Sequence, residues 1–469
     1  MILGAESTPY QPPPNGWRTF LIIWGTQSAS VFGSAMTLFA MNIWLTQTLY
    51  PRPDQKPQLA AALAAINLAF AIPVVFGAPL AGAWADRHDR KRTMMVADFC
   101  NGVLSLVLAA QVLSGSLQLW MLLGIIALMA FLSAFHGAAF DTSYAMLVTE
   151  ERLPRANGMM QTMWALAGIL APASAATLIA LPALARNGTL TGPLSASLGA
   201  LSNGAALPIL VDAVTFFLAA ITLIFLFVPS PKRTDLVGAD GQVKKSVWAD
   251  IKIGGLYIWQ RRPLLWLLGT FAVANLCSGP LGVVQPLLVK FNLAASWRVL
   301  GFQYETALAL LGTVTAIGGV VGGLFITAWG GLKARRIYGV VVPLIIAGVA
   351  QVAFGLSHWL YFSAAMVFIV EAMTPIMNAH SQTIWQTQTP RELQGRVFAV
   401  RRLIAQFTWP LSAAFAGWAA GRFDPGMVVA VLGAVLVIFC VAQLFNPYLL
   451  NVENKEMLDD MAARAAGEA

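Results

Sequence analysis

Charge is scarce in this chain. Asp, Glu, Lys and Arg together make up 11% of 469 residues, against 58% hydrophobic residues, and mean hydropathy is +0.70. That balance excludes the two to four soluble domains that length alone suggests. Cysteine is nearly absent. Cys100, Cys277 and Cys440 lie in or beside apolar segments without CxxC spacing, which excludes a disulfide scaffold or thiolate metal site and leaves small buried residues. No GxxxxGK[ST] run occurs, so no ATP site is expected. No nucleophile–base constellation or metal-ligand cluster occurs either, so neither an enzyme nor a cofactor-binding protein is expected. Residues 1–16 lack the basic-then-apolar pattern of a cleaved signal peptide, and Pro12-Pro13-Pro14 reads as a short extended tail.

What the chain has instead is apolar length. Runs of about 20 residues recur, each enough to cross about 30 Å of hydrocarbon. The runs are continuous rather than alternating, which disfavours a barrel and leaves helices as the structure that satisfies the backbone in lipid. The expected spans are 18–49, 59–84, 94–114, 117–148, 156–183, 205–229, 264–289, 306–330, 338–357, 359–387, 397–420 and 426–448. The sequence thus predicts an all-α membrane protein of twelve transmembrane helices.

The net charge of +8 is explained by topology rather than by nucleic acid. One alternating set of connections, with Arg18 and the tail residues Lys455 and Arg464, holds 23 of the 29 Lys and Arg residues. The other set holds Arg52, Lys56, Arg186, Lys290, Arg298 and Arg422. The positive-inside rule then places both termini in the cytoplasm of a multi-pass inner-membrane protein. The expected organisation is an N-terminal tail (1–17), a first six-helix bundle (18–229), a cytoplasmic linker (230–263), a second bundle (264–448) and a cytoplasmic tail (449–469). Within the linker, Lys244 to Lys252 suggests an amphipathic helix on the membrane surface. The polar, nearly uncharged loop 185–204 is expected outside.

An internal repeat supports two halves. Thr149 to Asn157 follows span 4 and precedes a span containing Pro172; Thr389 to Arg396 follows span 10 and precedes a span containing Pro410. Each is a charged turn, a helix start and a proline about four turns later. Two pseudo-symmetric bundles around a central cavity are the architecture this implies.

The densest charge lies in Gly82-Ala83-Trp84-Ala85-Asp86-Arg87-His88-Asp89-Arg90-Lys91-Arg92. Gly82, Asp86, Arg87, Arg90 and Lys91 resemble the loop motif between spans 2 and 3 of the major facilitator superfamily, with Asp89 in place of the usual glycine. The Asp-Arg-x-Asp-Arg form is similar to that of the branch containing enterobactin exporters and macrolide-efflux permeases. Gly25 to Ser34, Asp212 to Phe217 and Pro390 to Val400 also resemble that branch. The resemblance implies a gate, with Asp86 facing the start of span 11 (Arg396, Arg401, Arg402) and the loop arginines facing Glu150 and Glu151. A loop that only enforces topology is the alternative. The second-half counterpart, Trp329 to Arg336, keeps the basic residues and lacks the acid, so the gate is expected to be asymmetric. Gly168 and Pro172 in span 5 occupy the place of an exporter helix-kink motif, against ordinary small-residue packing.

Intramembrane acids are costly and mark cavities or partners. Glu371, Asp141 and Asp212 are the proton-coupling candidates. Glu371 leads because it lies near the midplane on a polar stripe with Thr374, Asn378 and Ser381, and it also suits cation recognition. Asp141 has loop arginines as alternative partners; Asp212 has a structural cap as its alternative. His136 and His380 are candidate proton relays, against simple hydrogen bonding. Gln27, Ser30 and Ser34 in span 1, and Asn275, Ser278 and Gln285 in span 7, are expected to line the cavity with Thr374 and Asn378. Trp164 and Trp409 are candidates for an apolar pocket wall, against the commoner interface anchoring. The expected activity is proton-coupled efflux of amphipathic, drug- or siderophore-like molecules by alternating access. The expected partners are a small-molecule substrate, protons and the lipid bilayer. Proton-coupled uptake and a non-transporting sensor or assembly protein are the alternatives.

Overall fold

The computed structural model describes residues 12–149, 152–229 and 247–467. Among them there are helices and no strands. Span 1 is Gly16–Trp44, extended by a π-helical turn Leu45–Leu49; span 2 is Lys56–Arg87, span 3 Arg90–Ser114, span 4 Leu119–Leu147, span 5 Leu153–Arg186 and span 6 Ala206–Phe225. Span 7 is two helices, Arg262–Ser278 and Leu281–Phe291. Span 8 is Tyr304–Trp329, span 9 Tyr338–Leu356, span 10 Leu360–Gln388, span 11 Arg391–Arg422 and span 12 Pro425–Gln443. Among the described residues, eleven segments are long and apolar enough to cross a membrane. The remaining helix, span 11, packs along span 2 and the first half of span 7.

One expectation changes. Span 7 is not continuous: it breaks at Gly279-Pro280, because Pro280 has no N–H to continue the ladder. A helix Val247–Trp259 lies in the linker, where the expected surface helix falls, with Lys244 to Ser246 outside the described residues; Tyr257 and Ile258 are buried against the second bundle while Leu256 and Trp259 stay exposed.

Buried apolar residues fall into three main clusters, and their distribution defines the shape. The first bundle has its own core around Phe20, Met94, Phe140 and Met163. The second has another around Leu267, Leu344, Trp385 and Leu436. Both lie toward the end carrying the loops after Arg87, Trp329 and Gln388, here called the basic end. At the far end a single core combines both bundles, joining Trp44, Leu63 and Ile209 to Leu287, Leu311 and Ala416. The bundles are fused at the far end and separately packed at the basic end. Trp17 and Glu453 lie at the basic end: Arg152 and Arg155 cover Trp17, and Glu453 meets Arg336.

Helix ends follow simple capping chemistry. Asp89 caps span 3, accepting from Arg92 N at 2.9 Å, and Asp424 caps span 12, accepting from Met427 N at 2.8 Å.

Candidate transport cavity

A cavity of about 510 Å³ lies in the second bundle where span 7 breaks. Asn275, Ser278, Gly279 and Leu281 line it from span 7, Leu344 and Ala347 from span 9, Glu371, Thr374 and Met377 from span 10, and Trp409 from span 11. An interrupted helix beside an acid within a span is a recurrent way to expose polar groups to a ligand within a membrane. The polar lining groups are Asn275, Ser278, Glu371 and Thr374; the other walls are apolar. Asn275 Nδ2 lies 3.4 Å from Thr408 Oγ1. Ser278 Oγ donates to Gln351 Oε1 at 3.3 Å, and buried Gln351 donates on to Cys277 O at 2.9 Å. These contacts orient the polar wall.

Glu371 has no hydrogen bond or ion pair among the described residues. A carboxylate in such surroundings is neutralised by a proton or by a cationic ligand. Of its expected stripe, Thr374 shares the cavity, whereas Asn378 is exposed and Ser381 fully buried. At 100° per residue Ser381 turns about 80° away from Glu371, which separates them. Gln285 is not among the lining residues.

The first bundle is arranged differently. Asp212 is fully buried and accepts from Ser34 Oγ (3.0 Å), Thr37 Oγ1 (2.9 Å) and Ser105 Oγ (3.1 Å), so it knits spans 1, 3 and 6 together. Gln27 and Ser30 are buried as well, and Gln27 Nε2 donates to Asp98 Oδ2 at 3.1 Å. Asp98 is 1% exposed, and His136 Nε2 lies 3.4 Å from its Oδ1. Sequence reasoning passed over Asp98, although it falls inside the expected third span and meets the same intramembrane-acid criterion as Glu371. Asp141 is exposed on span 4 and lies beside His136 and Tyr144.

His380 is structural in its contacts. Its Nδ1 lies 2.8 Å from Ile376 O, and its Nε2 accepts from Leu332 N at 2.9 Å. The second contact requires a lone pair, so Nδ1 carries the proton and the ring is neutral. It fixes the loop between spans 8 and 9. The acid that this loop lacks in sequence comes from the tail: Glu453 accepts from Arg336 N at 2.6 Å and from its guanidinium at 2.9 Å. Nearby, Tyr257 donates to Gln388 O at 2.7 Å under the Arg261 guanidinium, and burial holds its phenol above the ordinary value.

In the first-half loop, Lys91 Nζ donates to Ile224 O at 2.9 Å and Arg90 to Ala85 O at 3.3 Å. Arg90 also reaches Met146 Sδ, and His88 stacks on Trp84 at 3.6 Å. These contacts stay within the first bundle. Glu150 and Glu151 lie outside the described residues, as do the side chains of Asp86, Arg87, Arg396 and Arg402. Gly82 is half-buried in span 2.

The bundles touch through spans 2 and 11 and spans 5 and 8. Thr313 Oγ1 donates to Ile169 O at 3.0 Å, and Pro172 packs on Gly312, where a Cβ would lie 3.3 Å from the ring. The small-residue stretch of span 5 therefore meets the opposite bundle. At the far end Lys290 Nζ donates to Thr46 O (2.6 Å) and Tyr50 O (2.8 Å), and Lys56 Nζ to Phe423 O (2.8 Å).

A two-bundle helical protein with a lined cavity at a broken span defines a multi-pass membrane transporter rather than an enzyme. The chain belongs to the Major Facilitator Superfamily, whose family model matches residues 23–413. It is 23% identical over 435 residues to macrolide efflux protein A of Streptococcus pyogenes, covering 91% of this chain and 95% of that one. Its fold is similar to that of a bacterial homologue of the human lysosomal transporter Spinster in an inward-facing, unoccupied conformation, with TM-score 0.62, 17% identity and coverage of 97% and 96%. It is also similar to a bacterial homologue of the iron transporter ferroportin in an inward-facing state, with TM-score 0.59, 15% identity and coverage of 91% and 98%.

Proposed function

We propose that this transporter exports amphipathic organic cations in exchange for protons, by alternating access. The observation that carries the reading is Glu371, an acid without a hydrogen-bond or ion-pair partner among the described residues, in a cavity whose other polar lining groups, Asn275, Ser278 and Thr374, are uncharged. One carboxylate that accepts either a proton or a cationic substrate makes the two compete, and competition for one site is the simplest antiport mechanism. Similarity to a macrolide efflux protein supports the direction and an amphipathic cargo.

In this reading the basic end faces the cytoplasm of an inner membrane, with both termini inside. The fused far end and the two separate cores at the basic end then correspond to an inward-facing state. Substrate enters from the cytoplasmic side, and the bundles, joined by the connection 230–263, rock to expose Glu371 to the outside, where a proton displaces it. Gly82, Asp86, Arg87, Arg90 and Lys91 are assigned to the inner gate with Glu150, Glu151 and Arg396.

The test uses erythromycin, an amphipathic macrolide with one basic amine, and proteoliposomes holding the full chain. An imposed pH gradient should drive erythromycin uphill toward the acidic side, and a protonophore should abolish that flux. Erythromycin flux that ignores the pH gradient would refute proton coupling.

A further inference from the structure

The first bundle contains a buried acid–imidazole pair that the scheme above does not use. Asp98 in span 3 is 1% exposed and has no Lys or Arg partner among the described residues. Its neighbours are the neutral Gln27 amide, 3.1 Å from Oδ2, and the His136 ring, 3.4 Å from Oδ1. His136 Nε2 is itself buried and makes no well-directed hydrogen bond at that spacing. Asn101 Oδ1, one turn along span 3, is likewise buried without a donor, while its amide reaches Ser133 Oγ at 3.4 Å. The junction of spans 1, 3 and 4 therefore holds buried polar atoms without hydrogen-bond partners among the described residues. With Asp98 ionised and His136 neutral the pair carries one negative charge away from water; one added proton makes the pair neutral overall. The charged groups around it are few. Asp141 on span 4 lies beside His136, and Asp212, from span 6, is enclosed by Ser34, Thr37 and Ser105. Neither brings a positive charge.

We propose that Asp98 and His136 form a second proton site, in the first bundle, that takes up and releases one proton as the span 1–3–4 junction changes its exposure to water during the transport cycle. The role in a cycle rests on the proton-coupled reading above; proton exchange itself stands on the geometry. The pair shares a single proton, bound between a carboxylate oxygen and an imidazole nitrogen, and no other bond changes. A site of this kind in one bundle and a substrate-exchanging acid in the other allows more than one proton to move per substrate.

Infrared difference spectroscopy tests this on the full chain in lipid, without substrate, stepping from about pH 8 to about pH 5, the range in which imidazole titrates. The wild type should give the band of an imidazole gaining a proton together with a perturbed Asp98 carboxyl band, and both should disappear in Asp98→Asn. In His136→Gln the carboxyl band should shift and the imidazole band be lost. Asp141→Asn and Glu371→Gln should leave these bands in place. If Asp98→Asn does not fold, His136→Gln decides alone. Spectra of both variants that superimpose on the wild type would overturn the proposal. Loss of pH-driven erythromycin flux has no bearing on these bands, so the two readings fail separately.

Discussion

Lys290 of span 7 donates to the carbonyl oxygen of Thr46 across the bundle interface, at 2.6 Å. The acceptor exists because span 1 ends in the π-helical turn Leu45–Leu49, whose last carbonyls have no partner further along the helix. The same ammonium takes Tyr50 O, and Tyr304 supports the arrangement by reaching Thr46 Oγ1 at 3.4 Å and Pro286 O at 3.2 Å. A cation on the second bundle thus closes a helix end of the first.

Lys290→Met should therefore loosen the far end. Hydrogen bonds from a charged donor contribute about 1.5–3 kcal/mol, enough to move a two-state equilibrium tenfold or more. Spin labels at Arg52 and Val299, in a background without the three native cysteines, should give a broader and longer distance distribution in the variant. An unchanged distribution would mean that the shared apolar core alone holds the far end.

Gly417→Leu should destabilise the same interface by a steric route. A Cβ at Gly417 would run into the Ala64 side chain and come within 3.0 Å of Ala60 O on span 2. Overpacking of this kind costs about 1–3 kcal/mol, read as a lower thermal midpoint together with far-end widening. Gly25→Ala is the control, since a Cβ there meets nothing within 4 Å.

Asp212→Asn should cost stability without uncoupling transport. The carboxylate receives three hydroxyl donors, and an amide offers only one oxygen to them. A loss of about 1–3 kcal/mol follows if one donor is left unsatisfied, measurable as a lower unfolding temperature. Retained pH-driven erythromycin flux is expected; complete loss of coupling in a folded protein would return Asp212 to the proton pathway.

Glu453→Ala should release the loop between spans 8 and 9. Arg336 N and its guanidinium both end on that carboxylate. Hydrogen exchange of the Arg336 amide should rise at least several-fold, while Leu332, held by His380 Nε2, should change less. Equal protection in variant and wild type would assign the loop's order to His380 alone.

Much of the fold was legible because its signals are local. Apolar length gave the helices, and the repeat around Pro172 and Pro410 gave the two halves. The break in span 7 was harder to read, since Pro280 lies within an apolar run and its effect depends on whether packing tolerates it. For the cavity, Glu371, Thr374, Asn275 and Ser278 converge because polar residues inside spans are few and each must find a cavity or a partner. Gln27 and Ser34 satisfied the same rule differently, by turning to Asp98 and Asp212. That choice is made between helices, where one sequence offers no register. The acid for Arg336 was invisible for the same reason, with 117 residues separating it from Glu453.

The central claim is that Glu371 exchanges proton for cationic substrate, and Glu371→Gln in proteoliposomes tests it most directly. The amide keeps shape and polarity but takes neither a proton nor a cation's charge. Erythromycin flux driven uphill by an imposed pH gradient should fall to the protonophore background, while the protein remains folded with a wild-type thermal midpoint. Uphill flux at the wild-type rate and with the wild-type pH dependence would contradict the account.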